Sequence, residues 1–110
     1  MTLVQHPAAA AYSDADLALE GALIGAAIAN APYSDATAWQ LIRDISPAHF
    51  GDPLHAGLWG LVVEHRGKAD LQLAIHEFPR YSNVIADLAV AGAPTMLAEY
   101  ARAVRENFAR

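Results

Sequence analysis

Histidines and carboxylates are the side chains of this sequence best suited to chemistry, and it contains five histidines and twelve acidic residues. His49 and His55 lie six positions apart with Asp52 between them. This is not the i, i+4 spacing that places two metal ligands on one face of a helix, and no nucleophile or oriented base accompanies these residues. We therefore predict no catalytic, cofactor-binding or metal-binding residues. We interpret His55 as a structural histidine whose ring bonds backbone groups of the preceding turn.

Motifs that bind nucleotides or activate a serine are missing from the sequence. It has no G-x-x-x-x-G-K-[ST] loop, no G-x-G-x-x-G fingerprint and no G-x-S-x-G elbow. No cysteine is present, which excludes disulfides, thiol catalysis and thiolate metal sites. The sequence therefore favours a protein that is not an enzyme and carries no cofactor.

The net charge of −5 and the isoelectric point near 5.3 indicate an acidic surface. Such a surface repels phosphate backbones, so we expect no direct binding of DNA or RNA. The apolar stretch from residue 17 to residue 31 contains Glu20 and is shorter than the roughly 20 residues that cross a bilayer. No lysine or arginine precedes it, unlike in a signal peptide, so we expect a soluble cytoplasmic protein with no membrane partner.

Composition and helix boundary signals predict an all-α fold. Hydrophobic residues make up 55% of the sequence, many of them are alanine, and β-branched residues are too scattered for a series of strands. We expect a flexible lead-in of residues 1–12 and one compact domain of residues 13–110. The domain is predicted to hold about six short helices, the C-terminal one longer: residues 14–30, 35–45, 53–67, 71–78, 83–91 and 94–110, with a single turn at 46–50. The predicted N-caps are Ser13, Ser34, Asp52, Asp70 and Ser82.

The first predicted helix carries two glycines and one carboxylate that its apolar pattern does not require. Gly21 and Gly25 are four positions apart and lie on one stripe, which predicts that a neighbouring helix packs very closely there. Gly21 is also a candidate interface residue. We interpret Glu20 as lying at the exposed edge of the apolar face. The alternative is a polar contact to a partner helix or to a neighbouring subunit.

Large aromatic residues are candidates for both the core and an interface. Tyr100 and Phe108 fit the apolar stripe of the last helix, whereas Arg102 and Arg105 are predicted to face away from it. Trp59 lies at the margin of the third helix's apolar face, where burial in or beside the core is favoured over a role as an anchor for another chain. Trp59 and Arg102 are therefore also candidate interface residues. The inward positions of the fifth helix are predicted to be Val84, Ile85 and Leu88.

Three separated segments resemble the N-terminal domain of DnaB-type replicative helicases. Residues 20–28, EGALIGAAI, are similar to the E-x-x-x-L-G-A-L-L start of that domain, and residues 45–59, ISPAHFGDPLHAGLW, resemble its F-x-x-P-x-H-x-x-I-F segment. Residues 100–106, YARAVRE, are similar to its Y-A-x-x-V-R-E helix. The order and rough spacing of the segments agree over residues 18–110. The family-motif positions are Glu20, Ile24, Gly25, Phe50, Pro53, His55, Tyr100, Val104, Arg105 and Glu106.

The resemblance implies a helical head followed by a longer helix used in self-association. Such domains form the collar of a hexameric helicase ring and offer a docking surface to primase or a helicase loader, while the ATPase lies in a separate domain that this sequence does not contain. The sequence departs from the family at Ala56, where the family usually has arginine, in a short segment between residues 70 and 85, and in the absence of Gly-Gly before the fifth helix. We expect a non-catalytic protein-interaction and oligomerisation domain of a DNA replication helicase.

Three alternatives stay open. The chain could be a stand-alone phage, plasmid or bacterial regulator with the same fold that binds a helicase. It could be the helicase-binding domain of a primase, which resembles this fold, although the segment with Phe50, Pro53 and His55 favours the helicase side. The third alternative is a small helical enzyme with a histidine–carboxylate site built from His49, His55 and Asp52.

Overall fold

The computed structural model describes residues 13–33 and 36–109, and over these residues it confirms an all-α fold without strands. The predicted lead-in of residues 1–12 and the predicted cap Ser34 lie outside the described residues. The helices of the described part are α1 (Asp14–Asn30), α2 (Ala36–Ile42), α3 (Pro53–Glu64), α4 (Leu71–Glu77), α5 (Ser82–Ala91) and α6 (Leu97–Ala109). Short 3-10 turns occur at Ala31–Tyr33, Pro47–His49, Pro79–Tyr81 and Pro94–Met96.

Three helix starts depend on the side chains predicted to cap them. The Ser13 hydroxyl accepts the amide of Asp16 at 3.2 Å, and the Asp16 carboxylate accepts the amide of Ser13 at 3.0 Å, which forms a capping box at the start of α1. The Asp52 carboxylate accepts two amides of the first turn of α3. The Asp70 carboxylate accepts the amide of Leu73 at 2.9 Å at the start of α4. These caps satisfy amides that have no partner within the helix, and so they fix where each helix begins.

The end of α2 and the start of α5 differ from the prediction. α2 ends at Ile42 instead of Ile45, because the amide of Ile45 closes a tighter turn on the carbonyl of Ile42 at 3.0 Å. The prediction that Ser82 caps α5 is wrong. The preceding 3-10 turn already gives Ser82 helical dihedral angles, and Tyr81 occupies the N-cap position without a side-chain hydrogen bond.

α3 ends in a Schellman motif, with Glu64 as the last helical residue. The amide of Gly67 bonds the carbonyl of Val62 at 2.8 Å, and the amide of Arg66 bonds the carbonyl of Val63 at 3.1 Å. Gly67 was predicted to stop the helix, and its φ of 84° is left-handed. However, the left-handed conformation begins one residue earlier, at Arg66, whose φ is 52°.

α1 lies at the centre of the fold and packs against α3, α5 and α6. It is the longest helix described, with 17 residues, while α6 together with its leading 3-10 turn spans 16. The core residues that α1 contributes are Leu23, Ile24, Ala26, Ala27 and Ile28. Those contributed by α3, α5 and α6 are Leu58, Trp59, Leu61, Val62, Ile85, Leu97, Ala101 and Val104. One apolar core therefore joins the beginning, middle and end of the chain.

The closest approach in the fold is the crossing of α1 and α5. A methyl group added at Gly25 would overlap the backbone carbonyl of Leu88, and one added at Gly92 would overlap the backbone of α1. At Gly21 an added methyl carbon would lie 2.9 Å from Cδ2 of Leu88. The close packing predicted from the two glycines of α1 is confirmed. The candidate interface role of Gly21 is wrong, because Leu88 and His55 of the same chain cover it.

Among the described residues, no single helix combines the length and apolar character needed to cross a bilayer. Pro79–Ala91 and Pro94–Ala109 reach that length and composition only when taken together, and the two are bent by 72° relative to each other.

Candidate functional site

The carboxylate of Glu20 is buried between α1 and the start of α3. Its side chain is 2% exposed. One carboxylate oxygen, Oε2, accepts the amide of Gly51 at 2.7 Å, and the other, Oε1, lies 3.0 Å from Nδ1 of His55. Both oxygens of a buried anion therefore have a donor, which a carboxylate at this depth requires.

Local sequence explains why His55 meets Glu20. Asp52 caps α3 and Pro53 occupies its first position, so the helix has a fixed start and His55 follows within the first turn. The prediction that Glu20 lies at an exposed edge is wrong; the alternative, a polar contact to another helix, describes the structure, and the helix belongs to the same chain. The expectation that the His55 ring bonds backbone groups is also wrong, since its Nδ1 pairs with Glu20.

His49 has a separate set of contacts at the 3-10 turn before α3. The backbone amide of Ser46 donates to Nδ1 of His49 at 3.1 Å, and the Ser46 hydroxyl lies 3.2 Å from the same nitrogen. Burial lowers the pKa of His49, and the negative charge of Asp44 partly opposes that effect. The Ser46 hydroxyl also accepts the amide of Ala48 at 3.2 Å, so the serine–histidine pair forms a capping box around the turn.

The three residues of the enzyme alternative have different partners. His55 bonds Glu20, the Asp52 carboxylate caps its own helix, and the His49 ring bonds Ser46. Among residues 13–33 and 36–109, no group of three histidine, aspartate or glutamate side chains is placed to hold a metal ion. The chemistry that this arrangement supports most directly is structural: the charges and rings hold helix ends and loops together.

The last turns of α6 are fixed to the loop after α2. Arg105, predicted to face away from the apolar stripe of α6, bonds the Asp44 carboxylate at the surface through Nε at 3.0 Å and Nη2 at 2.7 Å, and its Nη2 also donates to the carbonyl of Leu41. The guanidinium beside Asp44 lowers the pKa of that carboxyl. Phe108 was predicted to be a core residue, but its side chain is 46% exposed and its ring lies 4.3 Å from that of His49.

Trp59 is fully buried and is not an interface residue. Its exposed fraction is 0%, and its indole Nε1 donates to the carbonyl of Ile45 at 2.8 Å. Its ring also packs against Phe50, with ring centroids 5.3 Å apart. Burial in the core, the favoured interpretation, is confirmed, and the candidate interface role of Trp59 is wrong. Arg102, the remaining candidate interface residue, is exposed on α6.

The outer face of α5 is the surface that sequence reasoning missed. We define this outer face by Arg80, Tyr81, Val84, Asp87 and Val90, all of which are exposed. Tyr81, Val84 and Val90 are 44%, 46% and 88% exposed. The prediction that Val84 faces inward is wrong. Ile85, one position later, is fully buried, and adjacent helical residues point in different directions. The available signal was Val90, which lies on a different side of the helix from the inward positions Ile85 and Leu88.

The three family-motif segments contact one another through the residues that define them. Glu20 of the first segment bonds Gly51 and His55 of the second, and Ile24 and Val104 are both buried in the shared core. The remaining motif positions are divided between core and surface: Gly25 and Phe50 are buried, Pro53 and Glu106 are exposed, and Tyr100 and Arg105 are partly buried. Comparison of the chain with protein-family models, with curated proteins and with solved structures gives no match.

Proposed function

We propose that this chain is a non-catalytic protein-interaction and self-association domain, of the kind that forms the N-terminal collar of DnaB-type replicative helicases. The observation that carries the proposal is the outer face of α5. Single exposed apolar side chains are ordinary on protein surfaces, but three of them, Tyr81, Val84 and Val90, are exposed on α5 and the 3-10 turn that leads into it, which favours association there.

The resemblance to the helicase domain supplies the more specific part of the proposal. Two motif residues distant in sequence, Glu20 and His55, form a buried pair, and a third segment contributes Val104 to the same core. These contacts support the view that the three segments act together as one folded unit.

The ionisable groups of the chain support a non-catalytic role. Glu20, His55 and His49 are each engaged in contacts that fix helices or turns, which leaves them no free geometry for proton transfer to a substrate. The net charge of −5 supports protein partners over nucleic acid, because an acidic surface cannot neutralise phosphates. A primase, a helicase loader or a second copy of this chain are the partners proposed.

Light scattering coupled to size-exclusion chromatography tests the proposal directly. A monomer has a mass of 11.7 kDa. Over loading concentrations from about 1 µM to about 1 mM, a range that covers weak to moderate affinities, the average mass should rise toward that of a dimer or a higher ring. A mass that stays at the monomer value at the highest concentration would contradict self-association. Binding of purified replicative primase or helicase, measured by calorimetry, then identifies which partner the domain serves.

A further inference from the structure

We propose that the outer face of α5 binds the same face of a second copy, with the two helices antiparallel and a two-fold axis passing close to Val84. This inference rests on the self-association proposed above and identifies the surface responsible for it. The argument depends on which side chains point outward, on their charges and on the symmetry of a homodimer.

The side chains of this face lie on one side of the helix. Arg80 lies in the 3-10 turn that leads into α5, with about three residues per turn, and Asp87 lies on α5, with about 3.6. Over the seven positions between them the chain makes about two full turns, so Arg80 and Asp87 lie near the same side. Val84 lies between them, and Val90 extends the apolar surface along one flank. Ile85, on the opposite side, is fully buried against the core, which fixes the direction in which this face points.

The charges of the face complement each other across a two-fold axis. In the described part of the chain, neither Arg80 nor Asp87 takes part in an ion pair. In an antiparallel pair centred near Val84, Arg80 of one copy faces Asp87 of the other. The symmetry repeats the contact, so that two ion pairs flank an apolar centre.

The parallel arrangement is disfavoured by the same charges. A parallel two-fold pair would bring Arg80 against its own copy and Asp87 against its own copy, and like charges at an interface oppose association. In the parallel arrangement, Val84 would still lie at the centre of the contact. The antiparallel orientation is thus selected by electrostatics, while the valine supplies apolar contact in either case.

The outward side of α6 offers less to a second copy, because it presents Glu99, Arg102 and Glu106 without an apolar centre. Phe108, its exposed aromatic residue, already packs against His49. A single short helix buries less than the roughly 800 Å² per partner of a standard stable interface, so the dimer belongs to the weak, concentration-dependent class.

Charge reversal tests both the surface and the orientation. Arg80→Glu alone places two carboxylates at each flank of the dimer, and Asp87→Arg alone places two cations there. Each variant should weaken dimerisation by about tenfold or more, measured by sedimentation equilibrium. When the two variants are mixed, the introduced glutamate of one copy faces the introduced arginine of the other, and the unchanged Asp87 faces the unchanged Arg80. A heterodimer of wild-type affinity should therefore form. Arg43→Glu, which makes the same change in net charge at an exposed arginine directly after α2, is the matched control and should leave the affinity unchanged.

The outcomes of this experiment distinguish an error in the proposed surface from an error in the proposed self-association. Circular dichroism first verifies that each variant keeps the helical content of the wild type. Single variants that weaken the dimer and a mixture that restores it support the proposal. If the wild type associates but Arg43→Glu weakens it and Arg80→Glu does not, or if the mixture fails to recover affinity, the proposed surface is wrong while self-association stands. If the wild type is monomeric throughout, both the surface and the proposed function fail.

Discussion

Replacing Glu20 by alanine should lower the free energy of unfolding by about 3 kcal/mol, because the substitution leaves two interior donors without an acceptor. The carboxylate receives the Gly51 amide at 2.7 Å and faces His55 Nδ1 at 3.0 Å. A hydrogen bond to a charged group contributes roughly 1.5–3 kcal/mol. The His55 side chain is 12% exposed, so water can partly replace the lost contact and the lower end of that range applies to each bond.

Conservative variants separate the charge from the shape. Glu20→Gln keeps the size of the side chain but offers one carbonyl oxygen to two donors, so it should lower the stability by about 1–2 kcal/mol, roughly half the effect of alanine. A double-mutant cycle between Glu20→Gln and His55→Gln should give a coupling energy of about 1 kcal/mol, since the two side chains are in direct contact.

Urea denaturation followed by tryptophan fluorescence and circular dichroism measures these changes, with the fully buried Trp59 as one reporter. The control is Glu99→Ala, which removes an exposed glutamate of α6 and should change stability by less than about 0.5 kcal/mol. The melting temperature of Glu20→Ala should fall by roughly 10–20 °C. A loss of less than about 1 kcal/mol for Glu20→Ala would refute the claim that the buried pair holds α1 to α3.

Three further outcomes follow from local geometry and can be measured by the same denaturation assay. Gly25→Ala should destabilise the fold by about 3 kcal/mol or more, because the new methyl group meets the backbone of Leu88; Gly60→Ala, where open space surrounds the glycine, should instead stabilise α3 by about 0.5–1 kcal/mol. Arg66→Gly should stabilise the protein by about 1 kcal/mol, since glycine adopts a φ of 52° without strain, and an unchanged urea midpoint would count against strain at this helix end. The pKa of His49 is lowered in the folded state, so folding favours the neutral ring. The contribution of His49 to stability is therefore complete above its pKa of 6.5 in the unfolded chain, and it is lost as the pH falls below that value through the lowered pKa of the folded state. The difference in stability between about pH 7.5 and about pH 5 should therefore be smaller in His49→Asn than in the wild type, and an equal difference would show that another group controls it.

Three helix starts were predictable because their signals are local. Ser13, Asp52 and Asp70 act through amides within three residues of their own positions, so the sequence alone contains the whole interaction. The ends were less predictable, since each depends on competing turns. Ile45, predicted to lie at the end of α2, belongs instead to a tighter turn after that helix. Its carbonyl also accepts a hydrogen bond from the indole of Trp59.

The errors at Glu20 and Val84, and the unforeseen partner of Arg105, share a physical cause. A helical pattern assigns each residue to the inside or the outside of its own helix, but it cannot show which other segment covers a given side. Glu20 is buried because α3 begins beside it, and Arg105 finds Asp44, which is 61 positions away in sequence. Val84 is exposed because no described segment covers that side of α5. Such outcomes depend on the tertiary arrangement, which single-helix periodicity does not contain.

At Gly25 and Gly92 the main chain of α1 meets the main chain at the C-terminal end of α5, with no side chain of these two residues between them. Tilting or rolling α5 there would bring backbone atoms into overlap, so this contact restrains its orientation. Residues on a helix whose orientation is restrained lose little conformational freedom when another molecule binds to them. Any protein that recognises α5 thus encounters a surface already arranged in its bound geometry, and its association is not slowed by rearrangement of the receiving helix.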